Sequence, residues 1–331
     1  MKSCNVIIRV LLFSFGALLA SAAWADPLPG EILKFQQQPM IATPITDTTG
    51  VTNIYFGHDE LSTAYRNPTD PVGSYRGAFM ADDFADNFST PVVHVSWWGS
   101  YMNVNPATPP QQVQKFLIAF ESDVPVDATN PWSHPGIVLN TQVVSLTASQ
   151  LLPQSGNFTE KLVPGSNPAE PVYKYNAELN LPFAEKKDTV YWLKIVALDD
   201  VVPGVVPIQW GWHNRDYTIN NPLASPLVLP GETNLNPADP TLPVWHFQDD
   251  AVQGQIATAL NAANGLTLTQ FYNIPGDGPK NYLPGLDGPV NIGQYSKDLA
   301  FELHTVPEPA SLTLLGIGVF GLLGYAWRKR K

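Results

Sequence analysis

Three observations predict an all-β fold, with two antiparallel sheets packed as a sandwich or jelly roll. Short segments along the chain alternate apolar and polar residues with period two, as a half-buried strand requires. The 331 residues include 32 Pro, and each Pro inside a helix costs about 3 kcal/mol, which disfavours a helical bundle. Pro-, Gly- and Asn-rich joins separate the alternating segments, as at 162–171, 222–243 and 273–289.

Taken in order, residues 92–98 put Val93, Val95 and Trp97 on one strand face. In 116–121, Phe116, Ile118 and Phe120 share a face. In 172–179, Tyr173, Tyr175, Ala177 and Leu179 lie opposite Lys174, Asn176 and Glu178. Residues 190–198 are apolar on both faces except for Lys194, the pattern of a central strand. Segments 208–213, 244–248 and 299–303 complete the predicted strands. Only 249–260 reads as a helix, weakened by Gly254. The expected organisation is a lead-in at 26–50 and one β-domain at 51–305. A division near residue 165 into two smaller sandwiches is the alternative.

The two ends read as addresses. Lys2 and Arg9 form a basic n-region, 10–20 is an uncharged h-region, and Ala23-Trp24-Ala25 places small residues at a cleavage site before Asp26, so 1–25 reads as a secretory signal for signal peptidase. The single Cys, Cys4, lies inside it. The exported chain therefore has no disulfide, thiolate metal site or Cys nucleophile. At the other end Pro307-Glu308-Pro309 precedes an uncharged stretch at 310–327 and the cluster Arg328, Lys329, Arg330 and Lys331. As a helix, 310–327 would extend about 27 Å, enough to cross the inner membrane with the basic run on the cytoplasmic side.

That order of parts over 306–331 resembles the PEP-CTERM sorting signal of Gram-negative bacteria. The resemblance implies recognition by an exosortase, a membrane-embedded cysteine protease-transpeptidase, and cutting near Pro307-Glu308-Pro309. It also implies transient anchoring, passage to the cell surface and company with exopolysaccharide in a biofilm. A second resemblance runs through the body, in Ala81-Asp82-Asp83-Phe84, residues 95–101, Trp210-Gly211-Trp212-His213, Asp249-Asp250-Ala251-Val252 and residues 298–303. These segments are similar to an uncharacterised domain of secreted bacterial proteins, for which no activity is implied.

Loss of both ends changes the charge. The whole chain carries 18 basic and 29 acidic residues, for a net −11. Removing 1–25 and 307–331 leaves 12 basic and 28 acidic residues, a net −16. Such a body lacks the basic stripe that nucleic acid requires.

The chain has no Gly-x-Ser-x-Gly, no His-Glu-x-x-His and no phosphate loop, so no enzyme class is indicated. His94, His213 and His246 sit on predicted strands, where they are ligands for a metal or hydrogen-bonded structural residues. The doublets Asp82-Asp83, Asp199-Asp200 and Asp249-Asp250 offer hard oxygens for Ca²⁺, or else accept loop amides in turns. Nine Trp are present, and Trp98, Trp210 and Trp212 beside His213 and Asp216 form the candidate glycan-binding set. The competing reading places those indoles between the sheets. The leading expectation is a structural or interaction role in the exopolysaccharide layer, with glycan binding the alternative and, third, a glycan hydrolase that carboxylate pairs would serve.

Overall fold

The computed structural model describes residues 29–46, 49–67, 69, 74–102, 112–124, 134–146, 156–216, 252–261, 265–272 and 299–307. These residues form sixteen strands and no helix. In chain order they are β1 (Ile32–Gln37), β2 (Thr43–Thr46), β3 (Thr52–Tyr55), β4 (Asp59–Leu61), β5 (Thr63–Arg66), β6 (Ser74–Phe84), β7 (Val92–Tyr101) and β8 (Lys115–Val124). The rest are β9 (His134–Ser145), β10 (Gly156–Leu162), β11 (Val172–Phe183), β12 (Tyr191–Asp200), β13 (Trp210–His213), β14 (Val252–Asn261), β15 (Gly265–Tyr272) and β16 (Phe301–Thr305).

Fourteen strands form one hydrogen-bonded sheet in the order β1-β16-β7-β11-β10-β9-β8-β12-β5-β6-β14-β15, with β13 and β4 branching from β7. β2 and β3 pair separately. The two wings meet at β10, which pairs with β11 along five residues but touches β9 only at Gly156 and Asn157. Strands from either side of residue 165 pair repeatedly, as in β12 with β8 and β16 with β7.

Inward-facing side chains of both wings share one core. Trp97, Tyr175, Phe301 and Leu303 come from the β7 wing, and Phe84, Phe116, Phe120 and Ile195 from the β12 wing. Aromatic edges lock the wings together. Phe116 meets Trp97 at 5.1 Å and Trp210 at 4.9 Å, both edge-on, and Phe84 meets Phe301 edge-on at 6.3 Å. Edge-to-face geometry sets the positive ring edge against the negative face and adds about 1 kcal/mol per pair to simple burial. The outer face of the β12 wing carries a second cluster that includes Tyr75, Phe79, Trp192 and Val196. β12 is therefore apolar on both faces, and it is paired on both sides by β8 and β6.

The structure departs from the predicted architecture in three places. The large sheet is mixed, because β12 runs parallel to β5 and β10 parallel to β9. Strand direction is set by how distant segments meet, which a local pattern does not encode. Residues 252–261, which include all the described part of the expected helix 249–260, form β14, paired in register with β6 and β15. Gly254 disfavours a helix, and pairing on both sides supplies the backbone hydrogen bonds instead. The expected lead-in supplies β1, which is paired with β16 and buries Phe35 completely.

Candidate functional site

The indoles of the candidate glycan set are inside the protein. Trp210 and Trp212 have no exposed surface, and Trp98 has 6 %. The Trp210 Nε1–H donates to the Tyr175 hydroxyl at 3.2 Å, and the Trp212 Nε1–H to the Ala300 carbonyl at 2.9 Å. Such internal partners are what a buried indole needs to offset loss of water. Gly99 lies opposite Trp212 on β7, and a Cβ there would run into the Trp210 ring and the Gly211 carbonyl. Trp98 lies on the other face of β7, beneath the Lys174 ammonium at 4.7 Å. The set therefore presents no indole face on which a sugar ring can stack. It is a packing feature, because adjacent apolar strand residues are consumed by the core.

His213 and Asp216 are buried as well. The His213 Nδ1 faces Asp59 Oδ1 at 3.0 Å, and its Nε2 faces the Met40 carbonyl at 3.1 Å. Both neighbours only accept, so both ring nitrogens donate and the imidazole is charged. Burial pulls the His213 pKa down, but the Asp59 carboxylate and these hydrogen bonds outweigh it, and the net direction is up. Asp216 accepts the Thr43 hydroxyl at 2.6 Å. Gly57 adopts φ +77°, and a Cβ there would collide with Asn214 Oδ1 and His213 Nε2. The arrangement pins 38–43 and the start of β4 onto β13.

Asp82 and Asp83 are buried on β6. Asp82 Oδ2 accepts the Leu299 N–H at 2.7 Å and Oδ1 accepts the Asp83 N–H at 3.0 Å, and with the Gln37 amide turned to present its nitrogen Gln37 also donates to Oδ2 at 3.0 Å. Its lone pairs thus stitch β6 to β1 and to the approach to β16. Asp199 accepts the Ile208 N–H at 3.0 Å. Asp200 binds Arg66 and Lys115, each at 2.7 Å, and the Tyr75 hydroxyl at 2.6 Å. Among the described residues no group of three His, Cys, Asp or Glu side chains is placed to hold a metal. Asp249, Asp250 and His246 lie outside the described residues, as do Ala23, Ala25, Asp26 and 308–331.

Among the described residues two lysines are enclosed completely, Lys34 on β1 and Lys194 on β12. Lys194 Nζ donates to Glu121 Oε1 at 2.6 Å and lies 4.0 Å from the centre of the Phe79 ring. Lys34 contacts Glu185 Oε1, lies 3.7 Å from Asp86 Oδ2 and donates to the Thr90 carbonyl. Burial lowers both amines from 10.5 to about 8, against the opposing pull of their carboxylates. Lys194 stands out in the sequence as the one charge of an apolar run. Lys34, Asp86 and Glu185 carry no such signal, since no motif links positions so far apart.

β16 is held by β1 on one side and β7 on the other, and the chain leaves the sheet at Val306 and Pro307, both exposed. Compared with known protein families, residues 33–243 match a domain of unknown function, DUF7901, and residues 305–331 match the PEP-CTERM protein-sorting motif. The first match covers most of the chain, which belongs to that family. It begins before the segments of the second resemblance, which run from Ala81 to residue 303, and ends before the last of them, so the segments at 249–252 and 298–303 fall outside it. The second match makes an exosortase the processing partner, with export toward the cell surface and a transient membrane anchor as the route. No curated protein and no solved structure matches the chain.

Proposed function

We propose that this DUF7901 protein is a non-enzymatic surface domain, released by exosortase and held in the exopolysaccharide layer by its acidic exterior. The observation that carries the reading is where the fold ends. The last described strand stops at Thr305, where the match to the sorting motif begins, and the chain turns outward at Val306 and Pro307. Cutting beyond that point removes none of the described strands. The body that remains carries −16, which favours solubility and association with cations shared with an anionic polysaccharide. The interior supports a structural role, because its Trp and Asp side chains are spent on packing and internal hydrogen bonds. On this reading the two wings form a sandwich, and signal peptidase cleaves before Asp26.

Replacing Pro307, Glu308 and Pro309 with Ala is expected to leave unprocessed chain in the inner-membrane fraction. Unchanged release would overturn exosortase processing. The matrix role is tested separately by washing cells and following the protein with the polysaccharide. Co-elution that is lost on digestion of the polysaccharide is expected. Free protein in the medium would overturn the matrix role and leave the processing route intact.

A further inference from the structure

Lys34 is placed by an irregularity. Leu33 stands opposite His304 and Phe35 opposite Leu303, so Lys34 is the extra residue of a β-bulge on β1. A bulge breaks strict alternation and re-aims a side chain. Here Lys34 and Phe35, neighbours in sequence, are both completely buried. The amine ends among Glu185, Asp86 and the Thr90 carbonyl, with the Phe88 ring centre 5.9 Å away. Both carboxylate side chains are at most 2 % exposed. One amine thus meets two carboxylates in a site from which water is excluded.

The geometry points to a covalent site: we propose that Lys34 Nζ and Glu185 Cδ are joined by an amide that forms within the folded protein. The reaction needs no external reagent. Proton transfer from the ammonium to Glu185 gives a neutral amine and a carboxylic acid, the form a dry site favours over an ion pair. The Nζ lone pair attacks Cδ, an N–C bond forms, a C–O bond breaks, and the hydroxyl leaves as water with a proton from the amine. No group is oxidised or reduced. Asp86 carries the proton between amine and leaving hydroxyl, and ends as it began.

Its position suits that role. Asp86 Oδ1 is fixed by the Phe88 N–H at 2.8 Å, and its backbone carbonyl accepts the Asp188 N–H at 2.7 Å, which leaves Oδ2 toward Lys34. Burial raises the Asp86 carboxyl despite Lys34, and lowers the Lys34 amine to about 8, so both are biased toward their neutral forms. Fixing amine and acid in contact corresponds to an effective concentration of about 10⁵–10⁸ M for well-oriented groups. Closure would tie edge strand β1 to the segment after β11, across more than half of the exported body. Such a tie suits a protein that works outside the cell without a disulfide.

The test is a peptide map of the full chain, purified after folding and digested. A peptide pair containing Lys34 and Glu185 is expected, lighter than the sum of its parts by one water. Denatured wild type should also run faster on a gel than Lys34→Arg, because a closed loop is more compact. Glu185→Ala should abolish the linked pair. Asp86→Asn should slow its appearance, leaving linked and unlinked forms together. Separate Lys34 and Glu185 peptides of full mass in wild type would overturn the amide. A linkage to Asp86, or one that persists in Glu185→Ala, would overturn the assignment of the partner. Unslowed closure in Asp86→Asn would overturn its proton-carrying role.

Discussion

The two buried lysines meet the same physical demand in different ways. Lys194 sits in the middle of β12, between β6 and β8, and its partner Glu121 is set by the strand register, opposite Trp192. Lys34 sits at a bulge on the edge strand β1, and its carboxylates come from the segments that follow β6 and β11. Both amines are lowered to about 8 by burial. One pair is therefore held by a ladder of backbone hydrogen bonds, and the other by converging loops. Regular strands bring a charge to its partner at no extra conformational cost. Among the described strands β1 is paired on one side only, by β16, and a covalent tie would supply support on the other.

The largest effect is expected from breaking the regular pair. Glu121→Ala leaves a completely buried cation without this carboxylate and should cost about 3–5 kcal/mol. Urea denaturation measures the loss. The double variant Glu121→Leu with Lys194→Met should recover most of it, because apolar groups of similar volume need no partner. A double variant as unstable as Glu121→Ala would show that the cost lies in packing.

The pH dependence then separates the two lysines. A lowered amine pKa means that, between pH 8 and 10.5, the unfolded chain holds a proton that the folded chain has lost. Stability contributed at that site therefore rises with pH through the window and is flat below it. For Lys194 the difference between wild type and Lys194→Met should change by about 3 kcal/mol across the window, the worth of such a shift. For Lys34 the matching difference should be flat, because an amide nitrogen does not titrate. A sloping Lys34 curve would mean a free amine and break the distinction between the two sites.

The smallest effect belongs to an open counterpart, Asp200 with Arg66, Lys115 and Tyr75. Burial pushes the Asp200 carboxyl up, but hydrogen bonds from Lys115 and Tyr75 and the nearby cations prevail, and the net direction is down. Its contribution is present above the ordinary carboxylate pKa and is lost as the pH falls through the folded value. The Asp200 side chain is 42 % exposed, so solvent screening limits Asp200→Asn to under about 1 kcal/mol. A melting curve in high salt should erase even that difference.

Most of the strand set was legible locally. Residues 92–98, 116–121, 172–179 and 190–198 all fall within or overlap strands, and the alternation of the first three puts Trp97, Phe116 and Tyr175 on faces that the core buries. β1 was not legible, because Ile32, Leu33, Lys34 and Phe35 do not alternate, and the bulge that excuses them exists only against β16. β14 was missed because 249–260 has a pattern shared by a short helix and a strand. The candidate site was less legible still. The Trp and Asp clusters are dense in sequence but spent on packing and on loop amides. The Lys34 group joins three positions with no common motif.

The amino-acid sequence alone determined the address, the charge and the strand chemistry. A sorting tail is read as a linear segment, and period-two alternation is a local property of a pleated backbone. Only the tertiary structure decided strand direction, the burial of the indoles and the meeting of Lys34 with Asp86 and Glu185. These depend on which distant segments share a ladder, and that choice is made by the summed burial of both wings, which no single segment carries.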